Sequence, residues 1–262
     1  MSAGPIDLVL DVGNTRTKWA LFQGRAMLRQ GVLATGDMNA LQRAVAGYPV
    51  SAVAMGSVSV PDTGFLSTVR TIAPVLVLDG TSAAPVRSTY ASPDTLGADR
   101  LANVVAAGRH FPARSVLVID PGTCITYDLL EGDGTYVGGA ISPGLRMRAK
   151  AMHTYSARLP EIDPGPRPAL LGTTTTGALA AGVHHGILGE IKEFIGALSK
   201  ERPGLAVVLT GGDGLHFARA LESGIFAIPF LTLEGYHALL EHHRALHHGA
   251  VLGDAGDAGG AG

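Results

Sequence analysis

The chain is poor in cysteine, in aromatic residues and in charge of either sign. Cys124 is the single cysteine among 262 residues, so no intrachain disulfide can form. That usage suits a reducing compartment, and the expected location is the cytoplasm. Lys and Arg number 20 and Asp and Glu 22, a formal net charge of −2. No global field draws such a chain to nucleic acid or to an anionic membrane. An anionic ligand must then be held locally, by amides, hydroxyls and metal ions. Nowhere is there the run of about 18 apolar residues that a membrane helix needs. The first residues lack a basic region, and Asp7 and Asp11 interrupt their apolar stretch, which argues against a secretory signal. What remains is an ordinary globular composition, rich in Gly and Ala and long enough to bury a core.

What is present is a phrase that occurs twice. Ile6–Leu10 is an apolar run that leads into Asp11-Val12-Gly13-Asn14-Thr15 and then the strand-like Trp19–Phe22. Ser115–Ile119 leads in the same way into Asp120-Pro121-Gly122-Thr123 and then Ile125–Leu130. Two hairpins, each with an acid at the end of a buried strand, suggest a duplicated domain closing on a phosphate-bearing ligand. Around them, strands alternate with helices, which implies an α/β architecture. Helices are expected over residues 37–47, 63–72, 99–109 and 177–199, and strands over 50–60, 75–78 and 205–209. Residues 81–95 and the Pro-rich 160–168 read as irregular. Phe111-Pro112-Ala113-Arg114 is the expected joint between domains spanning 1–112 and 113–248, and 249–262 reads as a disordered tail.

The chemistry of these segments follows from their residue types. A Gly in a tight strand–strand turn lets backbone amides approach phosphate oxygens. Asn14, Thr15 and Thr17 add donors, Asp11 can reach a metal ion or its water shell, and Lys18 either neutralises charge or points elsewhere by strand alternation. The bland alternative is a polar turn satisfying its own backbone. An independent turn, however, would not copy the strand, the acid and the Gly together. The spacing is neither a Walker A loop nor G-x-G-x-x-G. Gly211-Gly212 after the strand at 205–209 would admit a flat ring such as adenine, or be an ordinary turn. In Gly97-Ala98-Asp99-Arg100, an Asp at a helix start is stabilised by the macrodipole, and the adjacent Arg can bind a carboxylate or phosphoryl oxygen. His184-His185, His242-His243 and His247-His248 lack an accompanying ligand set and carry no metal reading. Arg146, Arg148 and Lys150 form either a solvated helix face or a ligand or dimer contact.

Two Asp-x-Gly hairpins and a Gly-Gly turn, in that order, resemble the superfamily of acetate and sugar kinases, heat-shock ATPases and actin. The resemblance implies two similar ribonuclease H-like (actin-like ATPase) domains of α/β class with a nucleotide cleft between them. Tyr90, Gly97-Ala98-Asp99-Arg100, Asp120-x-Gly122-Thr123, Gly138-Gly139-x-Ile141-x-Pro143-Gly144 and Thr175-x-x-Ala178 are similar to type III pantothenate kinase, in order and spacing, from about Asp7 to Gly235. That resemblance implies ATP-dependent phosphorylation of the 4′-hydroxyl of pantothenate, the first step towards coenzyme A. It implies that Asp11, Val12, Gly13, Asn14, Thr15, Arg16, Thr17 and Lys18 hold ATP phosphates, with Asp11 also near Mg2+. Thr123 becomes an ATP contact, and Asp120 a ligand for a monovalent cation, K+ or NH4+. Tyr90, Gly97, Ala98, Asp99 and Arg100 become the pantothenate site, with Asp99 as general base. Thr175 becomes a contact supplied by the partner subunit of a homodimer, its register within Thr173–Thr176 open by one position. Cys124 stands where Ala is usual, Pro121 follows the cation Asp, and Thr174 replaces a frequent Asn. A catalytically silent homologue acting as a regulator is the alternative. Retention of Asp11, Asp99, Arg100, Asp120 and Thr123 argues against it.

Overall fold

The repeated phrase folds into a repeated sheet. The computed structural model describes residues 4–57, 63–165, 167–221 and 224–253. Strands β1 (Ile6–Val12), β2 (Arg16–Gln23) and β3 (Ala26–Ala34) form an antiparallel meander. Helix α1 (Met38–Val45), strand β4 (Val50–Ser57), helix α2 (Thr63–Arg70) and strand β5 (Val75–Leu78) follow. β4 runs parallel to β1, and β5 parallel to β4. The order is therefore β3-β2-β1-β4-β5. Crossovers through helices are what parallel neighbours require, and the meander needs only tight turns. Asp37 starts α1 by accepting a bond from the Ala40 amide at 2.9 Å. The apolar run expected to reach residue 60 is a strand through Ser57, and residues 58–62 lie outside the described residues. After β6 (Arg87–Ser88) and a 3-10 turn (Pro93–Thr95) comes α3 (Ala98–His110).

The second unit repeats the plan. Strands β7 (Val116–Pro121), β8 (Cys124–Leu130) and β9 (Thr135–Pro143) form its meander. Helices α4 (Leu145–Thr154) and α5 (Thr175–Glu201) precede β10 (Ala206–Leu209), which runs parallel to β7. After α6 (Gly214–Ala218), β11 (Ile225–Ala227) runs parallel to β10. The order β9-β8-β7-β10-β11 matches that of the first sheet strand for strand. This is the ribonuclease H-like pattern that the superfamily resemblance implies.

Each unit has its own aliphatic core. Leu8, Leu10, Leu21, Val53, Met55 and Phe65 fill the first, and Leu117, Ile119, Ile125, Tyr127, Ile187 and Phe217 the second. Burying one such side chain contributes about 1.5–3 kcal/mol, which makes the central strands the firm part of each unit.

The chain divides differently from the sequence expectation at its end. Contacts group residues through Ala106 with those from Leu231 onward, and Ala107–Phe230 as the second unit. The expected joint at 111–114 lies just beyond α3, and Ala113 there adopts a left-handed φ of 57°. The larger difference is the last helix, α7 (Leu231–Gly253), which belongs to the first unit rather than to the one preceding it in sequence. It buries Leu233, Ala238, Leu239 and Leu240. Its His237 stacks on Phe22 at 4.3 Å, and its Arg244 pairs with Asp7. The expected tail overlaps this helix through Gly253, and the rest of that segment lies outside the described residues.

Candidate active site

The first Asp-x-Gly hairpin joins β1 to β2. The Gly13 amide donates to the Arg16 carbonyl at 3.1 Å, and a Cβ on Gly13 would come within 2.9 Å of that oxygen. The turn is therefore tight enough to demand glycine. Asn14, Thr15 and Arg16 are exposed around it, while Val12 is buried and offers only its backbone. Thr17 is fully buried, and its hydroxyl bonds the Thr35 hydroxyl at 3.2 Å. Thr17 is thus placed to brace the turn from within, unlike Asn14 and Thr15. Lys18 sits directly opposite Asp11 in the ladder, its Nζ 3.8 Å from the carboxylate. Strand register, which left the direction of Lys18 open in the sequence, sets it beside the acid.

The segment between the hairpins builds a cavity of ≈ 310 Å³ within the first unit. Ser57, Leu78, Asp79, Asp94, Leu96, Gly97, Asp99 and Tyr236 are among its walls. Asp99 is in the first turn of α3, where its Oδ1 accepts the Arg100 amide at 2.9 Å. A Cβ on Gly97 would lie 2.3 Å from that same Oδ1, so glycine is what permits this rotamer. Arg100 is buried, and its guanidinium donates to the Tyr90 hydroxyl at 3.3 Å and lies 5.4 Å from the Tyr90 ring centre. The structure thus brings Tyr90, Gly97, Ala98, Asp99 and Arg100 together. It adds Asp79, whose carboxyl is held below the ordinary range by hydrogen bonds from Thr81 and Ser82. Sequence pattern alone does not single out Asp79 or Tyr236. An Asp at a strand end, Leu78-Asp79-Gly80, was the available signal for the first, and nothing local marks the second.

The second hairpin joins β7 to β8. The Gly122 amide donates to the Cys124 carbonyl at 2.8 Å, which leaves Thr123 exposed at the tip and Cys124 half-buried. Asp120, the penultimate residue of β7, is half-buried, and the glycine turn after β10 runs against it. A Cβ on Gly211, whose φ is +75°, would fall 2.1 Å from Asp120 Oδ1. Asp213 follows, and burial pushes its carboxyl up despite the charges of Arg146 and His216. Arg148, by contrast, is tied into the fold. It donates to the Pro143 carbonyl at 2.8 Å, to the Ser142 hydroxyl at 2.7 Å and to Glu190, which also accepts from Tyr127 at 2.7 Å. Burial raises Glu190, but these bonds outweigh it and hold the carboxyl low. Thr175 is exposed at the first turn of α5, whose N-cap is Thr174 accepting the Gly177 amide at 3.1 Å. His184 is buried against His216 at 3.0 Å, and burial followed by the neighbouring His charges pulls it down to about 4. It is neutral at pH 7.

The family model for type III pantothenate kinase matches residues 7–197, most of the chain. The chain belongs to the type III pantothenate kinase family. Among curated members of this family, it is 40% identical to one from Bacteroides fragilis over 239 residues, covering 91% of this chain and 98% of the relative. It is likewise 40% identical to one from Porphyromonas gingivalis, covering 90% and 98%. Membership in the type III pantothenate kinase family makes the chain a phosphotransferase by descent, and the span includes both hairpins and the Gly97–Arg100 segment. Solved structures agree at the level of fold. A putative Baf family transcriptional activator from Campylobacter jejuni superposes with a TM-score of 0.60 at 19% identity, covering 91% of this chain and 99% of that one. A putative 2-dehydro-3-deoxygalactonokinase from Sinorhizobium meliloti does so at 0.53 and 18%, covering 92% and 99%. The fold is that of actin-like ATPases and kinases. Among the described residues no helix is long and apolar enough to cross a membrane.

Proposed function

We propose that the protein transfers the γ-phosphoryl group of ATP to the 4′-hydroxyl of pantothenate, with Asp99 as general base, as the first step of coenzyme A synthesis. The observation that carries this reading is Asp99 in the wall of a cavity that Gly97 and Ala98 also line. Asp99 takes the hydroxyl proton, the oxygen attacks phosphorus in line, and ADP leaves with the electron pair of the broken P–O bond. Such transfer depends on positioning and charge neutralisation more than on covalent chemistry. The buried Arg100, steadied by Tyr90, orients the acceptor or meets developing charge. Asn14 and Thr15, exposed on the tight turn that Gly13 closes, hold phosphate oxygens, Lys18 offsets their charge, and Thr123 adds a contact.

Mg2+ typically binds through one or two carboxylates with substrate phosphates completing its shell, so a single half-buried Asp11 fits it. Bound there, Mg2+ would supply charge neutralisation at the phosphates. Asp120, shielded by Gly211, is the residue for K+ or NH4+. A homodimer is part of the reading. The second unit exposes Ile141, Met147, Tyr155, Leu170 and Leu171, the last two a few residues before Thr175. Thr175, whose neighbour Thr174 is spent on the helix cap, would reach the partner's pantothenate. A cytoplasmic location accords with the single reduced cysteine.

A coupled ADP-release assay tests the whole reading, with pantothenate, sugars and glycerol as acceptors and with K+ replaced by choline. Turnover should require pantothenate and fall without K+. Turnover with sugars or glycerol in its place would overturn the substrate assignment, and an unchanged rate in choline would remove Asp120 from cation binding.

A further inference from the structure

Tyr236 is the aromatic residue in the wall of the Asp99 cavity, and three separate contacts determine where its ring lies. Thr232, Gly235 and Tyr236 share one face of α7, at i, i+3 and i+4. The Thr232 hydroxyl donates to Asn103 Oδ1 at 2.9 Å, both residues buried. A Cβ on Gly235 would lie 2.0 Å from the Ala102 carbonyl oxygen, so α7 approaches α3 as closely as backbones allow. The third contact is on the sheet. A Cβ on Gly56 would fall 2.1 Å from Tyr236 Cζ and 2.2 Å from its Oη. The ring is clamped between the helix that carries Asp99 and the strand that pairs with Asp11, Gly56 being in register with it. Tyr236, Leu78, Leu96 and Ala98, each almost fully buried, contribute the apolar part of the cavity lining. Asp79, Asp94 and Asp99 line the same cavity.

We propose that Tyr236 is a specificity-determining residue: its ring completes an apolar wall for the branched hydrocarbon that adjoins the acceptor hydroxyl. The inference rests on the pantothenate reading above. The carbon next to the reacting CH2OH of that acceptor carries two methyl groups. A wall of Tyr236, Leu78 and Leu96 rewards those methyls and gives nothing to an unbranched alcohol. One methylene in a hydrophobic pocket is worth about 10- to 200-fold in discrimination. The wall therefore acts on which alcohol is chosen, and Asp99 on how it reacts.

The experiment compares kcat/KM for pantothenate with that for its analogue lacking both geminal methyls. The full-length enzyme is used, as wild type and as Tyr236→Phe, Tyr236→Ala and Gly56→Ala. Tyr236→Phe keeps the ring and should keep the ratio. Tyr236→Ala should lower the ratio on the order of 10-fold. Gly56→Ala should lower it in the same direction with the tyrosine still present, because its Cβ displaces the ring. Tyr236→Leu substitutes for the alanine variant if that one fails to fold. Any effect on ATP handling cancels in the ratio, so a merely structural role does not move it. Equal ratios across the series, with pantothenate turned over by wild type, overturn the inference and leave the kinase reading intact. A ratio that collapses in Tyr236→Phe also overturns it, since the hydroxyl rather than the ring would then be responsible. Failure of wild type to turn over pantothenate overturns both.

Discussion

Removing Arg244 should destabilise the first unit more than neutralising its partner does. Asp7 lies in β1 with its side chain 3% exposed. It accepts two bonds from Arg244 at 2.6 and 2.7 Å, one from Ser51 at 2.9 Å and one from His237 at 3.3 Å. Burial alone would raise this carboxyl, but the bonds from His237, Arg244 and Ser51 outweigh it and hold it at about 2. Against an ordinary value of 3.8, that is about 2 kcal/mol of stability. The sign follows from the depressed value in the folded state. The contribution is complete above pH 3.8 and is lost as pH falls towards 2. Arg244→Ala leaves a buried carboxylate without its guanidinium, a change that costs about 3–5 kcal/mol when both partners are dry. Arg244 is 29% exposed and Ser51 and His237 remain, so the low end, about 3 kcal/mol, is expected. Asp7→Asn removes the charge contribution of about 2 kcal/mol and strands only a cation that reaches water, so it should cost about 2 kcal/mol. It should also flatten the pH dependence of stability between pH 4 and 2. Trp19, the single tryptophan, is buried in β2 beside β1 and reports on this unit. Urea unfolding followed by its fluorescence measures each variant. A cost below about 1 kcal/mol for Arg244→Ala, or a larger cost for Asp7→Asn than for Arg244→Ala, would refute the reasoning.

Three further outcomes are expected. Asp99→Asn should lose about 10²- to 10⁴-fold in kcat, the span of a general base, with an unchanged thermal melt; near-normal turnover would remove Asp99 from that role. Gly211→Ala places a Cβ 2.1 Å from Asp120 Oδ1 in a left-handed backbone. It should cost about 1–3 kcal/mol in strain and raise the K+ concentration needed for half-maximal rate; an unaltered K+ titration would separate Asp120 from the cation. Tyr127→Phe deletes the 2.7 Å bond to Glu190 and should lower stability by about 1 kcal/mol while kcat for pantothenate stays put; a loss in kcat without a loss in stability would place this network in the chemistry.

Much of the site was legible because it is local. Gly97 excludes a side chain from the space that Asp99 Oδ1 occupies two residues later, and Gly13 closes a turn with Arg16 three residues later. Such constraints act within a few residues and leave a pattern of residue types. The expected helix at 99–109 and the structure's Ala98–His110 differ by one residue at each end for the same reason. Arg148 reads in the sequence equally as a solvent, ligand or partner contact, because its neighbour Glu190 is on another helix. A lone tyrosine in an amphipathic stretch carries no mark of the cavity it backs, so nothing in the sequence singles out Tyr236.

The sequence by itself determined the duplicated strand–acid–glycine hairpins, the sheet plan they nucleate and the family. All of these depend on alternation, turn chemistry and short spacing, which are written along the chain. Only the tertiary structure decided that the last helix returns to the first unit, that Asp7 is buried against Arg244, and that Gly211 leaves room for Asp120. These are contacts between segments far apart in sequence. Nothing in local periodicity favours one distant partner over another. The selection is made when whole apolar faces bury one another and the polar groups trapped between them must find each other.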